Sequence, residues 1–148
     1  MTKLAVPLFV SLLSLFGCSD ETRINVSEQE EFRRFVGMQF EVMGPVDAYG
    51  IRPHSKAEVE YVTLIPLPGI DGPEVGFRTR LQAGSKVTVQ RVIKTNRMFD
   101  PAMSYEVLLE GTQLPKAIPI RLDLFRGNEG EGAMQLNPKL YRSLRSAS

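Results

Sequence analysis

Between Gln39 and Leu124 the chain repeatedly alternates apolar with polar residues, and this period of two constrains its fold more than any other feature. Phe40 and Val42 alternate with Gln39 and Glu41, and Val59, Tyr61 and Thr63 with Glu58, Glu60 and Val62. Phe77, Thr79 and Leu81 enclose Arg78 and Arg80, while Val87 and Val89 fall between Lys86, Thr88 and Gln90. Tyr105, Val107 and Leu109 alternate with Glu106 and Glu110, and Ile118, Ile120, Leu122 and Leu124 with Arg121 and Asp123. Successive side chains of a strand point to opposite faces, so these segments read as half-buried antiparallel strands. Residues 82–85 (Gln-Ala-Gly-Ser) read as a hairpin turn between two of them. The phase slips at Arg91, Val92 and Ile93, which predicts a bulge. Residues 44–55, 66–74 and 127–132 are rich in Gly and Pro and read as loops, the last as a mobile one.

Ahead of the strands, Ser27-Glu28-Gln29-Glu30 has the pattern of a capping box. It predicts a helix of roughly ten residues, with Phe32, Phe35 and Val36 on one face and Gly37 at its end. Residues 140–144 are expected to form one helical turn. At 148 residues, 43% of them hydrophobic, the chain suits one domain with a modest core. The expected fold is all-β with one short N-terminal helix, a small antiparallel β-barrel or rolled sheet of SH3-like size.

One Cys and one His exclude an internal disulfide, a Cys-pair redox centre and the multi-His metal sites. The position of that Cys is informative. Lys3 is followed by an uncharged run from Leu4 to Phe16, too short for a bilayer span but matching the apolar region of a secretory signal. Leu15-Phe16-Gly17-Cys18 then resembles the lipobox of bacterial lipoprotein precursors. The resemblance implies a signal peptide over residues 1–17, acylation of Cys18, and a membrane anchor through its acyl chains. Ser19 in place of Asp implies the periplasmic face of the outer membrane. Residues 18–26 read as a lipidated tether and residues 27–148 as a single β-rich domain.

Charge is distributed unevenly. Residues 18–74 carry 11 acids and 5 bases, whereas residues 75–148 carry 6 acids and 12 bases. No acid occurs from Val75 to Phe99, where Arg78, Arg80, Lys86, Arg91, Lys94 and Arg97 all lie. Arg78 and Arg80 share a strand face and are expected to oppose Glu58 and Glu60 as cross-strand ion pairs. The alternative is a basic face free to recognise carboxylates through guanidinium forks. Arg97, Met98 and Phe99 belong to an apolar, Met-containing loop suited either to partner contact or to closing the core.

No catalytic constellation stands out. His54, flanked by Pro53 and Ser55, reads as an exposed loop residue, since no nucleophile elbow accompanies it. The spacing of Glu58 and Glu60, or of Asp71 and Glu74, would suit a glycan hydrolase only with a sugar cleft, and the chain has no Trp. Asp71 with Glu74 offers too few oxygens for calcium. The expected function is therefore a non-enzymatic, lipid-anchored envelope protein that binds another protein, with Arg78, Arg80, Arg97 and Phe99 as candidate contacts. An inhibitor or immunity protein against a toxin or hydrolase is the alternative. No cofactor, metal or nucleic-acid partner is expected.

Overall fold

The computed structural model describes residues 22–96 and 102–145. Cys18, Arg97, Phe99 and the signal segment lie outside them. The described chain is mostly strand: β1 (Thr22–Asn25), a one-turn helix α1 (Glu30–Arg33), β2 (Gln39–Val42), β3 (Val46–Ile51), β4 (Tyr61–Pro66), β5 (Val75–Arg80), β6 (Lys86–Asn96), β7 (Ala102–Glu110), β8 (Ile120–Asp123) and β9 (Tyr141–Arg145). They form one sheet in the order β5-β3-β4-β8-β7-β6-β2-β9, with β1 also on β6. The sheet is open, ending at β5 and β9. It is also mixed rather than purely antiparallel, because β4 and β8 run parallel, Val62 beside Ile120 and Thr63 beside Arg121.

The order forces the sheet to bend. Five strand spacings separate β2 from β3, about 24 Å in a flat sheet. Only Met43, Gly44 and Pro45 join them, and a connection of this length spans at most about 14 Å. The corner is tight enough to require Gly44, where a Cβ would lie 2.6 Å from Leu140 Cδ2 and 2.9 Å from the Lys139 carbonyl. Residues 82–85 form a second corner. Ser85 N–H donates to the Gln82 carbonyl as a turn requires, yet β5 pairs with β3 and β6 with β7, so the expected hairpin is absent.

Inside the bend, Val42, Val46, Ala48, Val62, Leu64, Val87, Val89, Val92, Tyr105, Val107 and Leu122 make one continuous core. The expected alternation supplies Val42, Val87, Val89, Tyr105, Val107 and Leu122, but in β4 the expected faces are reversed: Val62 and Leu64 enter the core, while Tyr61 and Thr63 lie on the other face beside Asp123. β3 is the main departure: it lies within residues 44–55, expected to be a loop, and Val46 through Gly50 are all buried. Such a strand, covered on both faces, shows no alternation. Its Gly50 has the Phe77 ring where a side chain would stand, a Cβ there falling 2.3 Å from the ring. The expected helical turn at 140–144 is also overturned, since Tyr141–Arg145 pairs with β2 as a strand.

The N-terminal segment differs from the expectation as well. Residues 22–25 of the expected tether pair with β6 from Asn96 to Ile93. The helix is one turn long, and Gln29 precedes it without a side-chain cap. Ser27 is occupied elsewhere: its hydroxyl donates to Asn25 Oδ1 at 2.6 Å and accepts the Val92 N–H at 2.9 Å. β6 has a register shift between Val89 and Arg91, the bulge anticipated from the phase slip. Residues 26–38 bridge that irregular stretch between β1 and β2, and the serine takes the place of a ladder carbonyl. The helix stops at Arg33 with Arg34 as its C-cap, short of Gly37, which lies at φ +86° in the turn that follows, while Phe35 packs on Tyr105 with ring centroids 6.2 Å apart.

Candidate functional site: the β5 edge and a polar cleft

Arg78 and Arg80 do not meet Glu58 and Glu60. β5 lies beside β3 rather than β4, and both glutamates are exposed on the segment preceding β4. The register sets Arg80 opposite Asp47 and Arg78 opposite Tyr49. These are the antiparallel positions at which facing side chains approach most closely. Asp47 is only 1% exposed, and both arginines close over it. Arg78 Nε donates to Oδ2 at 2.6 Å, Arg80 Nε donates to Oδ1, and the Arg78 guanidinium lies 5.4 Å from the Tyr49 ring centroid. Burial pushes the Asp47 carboxyl up, but the hydrogen bonds and charges of Arg80 and Arg78 outweigh it and hold the group below its ordinary value.

The clamp leaves chemistry unused. Two guanidinium groups face one carboxylate, and their side chains remain 47% and 54% exposed. Leu81 N–H donates to the Val46 carbonyl. Antiparallel alternation therefore turns the N–H groups of Thr79 and Phe77 toward β3 and those of Arg78 and Arg80 outward. Because β5 ends the sheet order, those outward groups have no strand partner among the described residues.

A second polar constellation lies on the same outer face of the sheet. Arg23 from β1, Tyr61 and Thr63 from β4, Thr95 from β6, Asp123 from β8 and the following Arg126 line a cleft of about 140 Å³. Thr63 Oγ1 donates to Asp123 Oδ2 at 3.2 Å. Tyr61 is flanked by Arg121 at 3.7 Å and Arg23 at 5.4 Å from its ring centroid. Burial pushes the Asp123 carboxyl above its ordinary value, and the Thr63 hydroxyl with the Arg23, Arg126 and Arg121 charges offsets this only in part. Ser104, across the strand pair from Asp123, has a buried hydroxyl with no hydrogen-bond partner among the described residues.

The remaining candidates are dispersed. His54 is exposed, and its carbonyl accepts the Ala57 N–H in a turn. Asp71 caps its own turn by accepting the Gly72 N–H, while Glu74 reaches the edge of the cleft. The loop at 127–132, expected to be mobile, contains fully buried Asn128, which donates to the Leu64 carbonyl and accepts from the Tyr141 hydroxyl. Sequence reasoning missed Asp47, Asp123 and Arg23. For Asp47 a signal existed: one acid within the otherwise uncharged run from Met43 to Ile51.

Among the described residues, no group of three or more His, Cys, Asp or Glu is placed to hold a metal, and no helix is long and apolar enough to cross a membrane. No family model, curated protein or solved structure matches the chain.

Proposed function

We propose that the chain is a lipid-anchored protein of the bacterial envelope, held through acylated Cys18 at the periplasmic face of the outer membrane, whose β-domain binds another protein without catalysing a reaction. The observation that carries the binding half is the β5 edge, with outward backbone groups beside two half-exposed guanidinium groups. An extended segment added there gains main-chain hydrogen bonds for affinity and side-chain contacts for selectivity. The excess positive charge of the clamp favours acidic residues in that segment. The bent sheet acts as a rolled, barrel-like support that keeps β5 at its rim.

The test is affinity capture from a cross-linked envelope with residues 19–148 as bait, followed by hydrogen exchange on the recovered complex. The Arg78 and Arg80 amides, fast in the free protein, are expected to become protected, while those of Phe77 and Thr79 are slow in both states. A partner that leaves the β5 amides unchanged would exclude strand addition. If the partner is a hydrolase or toxin whose activity falls on binding, the module is an inhibitor. Metabolic labelling with a fatty acid, lost in Cys18→Ser, tests the anchor separately.

A further inference from the structure

We propose that the cleft between β1, β4 and β8 binds a small tetrahedral oxyanion, phosphate or sulfate or the terminal group of a phosphomonoester, between Arg23 and Arg126. This goes beyond strand addition and does not depend on it. Two guanidinium groups from distant parts of the chain converge on one concave site. Among the described residues neither is in an ion pair: Arg23 rests on Tyr61, and Arg126 lies 5.4 Å from the Phe125 ring centroid. Arg126 is also held at φ +58°, a conformation uncommon for a residue other than glycine and concentrated at functional sites. The cleft volume of about 140 Å³ corresponds to roughly four or five water volumes. That is the scale of an ion with five heavy atoms.

Asp123 supplies the selectivity. A carboxylate at the floor would repel an anion, but a carboxylic acid donates a hydrogen bond to it. Burial already favours the protonated form. Arg23, Arg121 and Arg126 are the cations facing Asp123, and Glu74 is the other carboxylate at the cleft. Anion binding should therefore strengthen as pH falls and Asp123 takes up its proton.

Sulfate, which keeps its charge across the working range, is the probe. It is titrated into the purified full chain while the backbone amide signals of Tyr61, Thr63, Thr95 and Asp123 are followed by NMR. Saturable shifts are expected, stronger at the acid end of a pH series than at neutral pH. Arg126→Met, at an exposed position, should fold normally and weaken binding about tenfold, with Arg23→Met doing the same. Asp123→Asn, whose amide donates at every pH, should bind equally at both. Tighter binding of glycerol phosphate than of inorganic phosphate would identify the ligand as an ester, and equal binding would identify it as the free ion. Shifts that do not saturate, or affinity unchanged in the two folded arginine variants, would overturn the site. Affinity independent of pH in the wild type would remove Asp123 from it.

Discussion

Asp47 is a charge placed where water cannot solvate it, and its two arginines are what make that placement tolerable. Truncating one side of a buried ion pair strands the other charge, at a cost of about 3 kcal/mol or more. Replacing Arg78 and Arg80 together by Met, which keeps their alkyl packing, is thus expected to lower the thermal midpoint, and the loss should shrink in an Asp47→Asn background. A double-mutant cycle by urea unfolding checks this. Charge reversal at the same positions would set two glutamates against Asp47 and unfold the rim, so it cannot serve as a binding test. The pH dependence has a definite sign. Asp47 is held below its ordinary value of 3.8, so its contribution is complete above that value and is lost as pH falls through the folded one. Asp123 has the opposite sign: its folded value is raised, so stability declines as pH rises from 3.8 through it. Unfolding curves below neutral pH should lose their acid limb in Asp47→Asn and their upper decline in Asp123→Asn.

At the scale of elements, the instructive case is Ser27. As an N-cap it would support α1 together with Glu30; in the fold it completes the hydrogen bonding of β6 at Val92. Ser27→Ala is expected to cost about 1–3 kcal/mol, because a buried N–H loses its acceptor. Glu30→Ala should be nearly neutral, whereas a capping box would make both changes destabilising; chemical denaturation of the two variants separates the accounts. The same contrast bounds what local pattern reveals. Strands with one wet face, such as β5 and β7, were legible because alternation records the difference between their faces. β3 was not, since burial on both faces erases the period, and β9 was not, since Leu140 and Leu144 fit a helical spacing equally well. Ser27 could not be assigned either, because a hydroxyl that accepts an N–H carries no mark of whether that N–H belongs to a helix or a distant strand.

For the whole molecule, β1 decides whether the N-terminal segment is tether or structure. Removing residues 1–25 uncovers the edge of β6 from Ile93 to Asn96. It is expected to destabilise the domain by on the order of 2 kcal/mol relative to removal of residues 1–21, through lost ladder bonds. A tether ending at Val26 would make the two truncations equally stable, and calorimetry distinguishes them. The candidate sites follow the same division. Arg78 and Arg80 were visible as a basic strand face, but Asp47, 31 residues before Arg78, became their partner only because β5 folds back beside β3. The polar cleft draws Arg23, Tyr61, Asp123 and Arg126 from opposite ends of the chain and had no local signature. Taken alone, the sequence determined the predominance of strands, the position of the β6 bulge and the apolar faces that build the core, because these arise from the chemistry of neighbouring residues. Tertiary structure alone decided strand order, the identity of the buried acids and which guanidinium groups converge, because two three- to five-residue corners bend the sheet and bring remote segments into register.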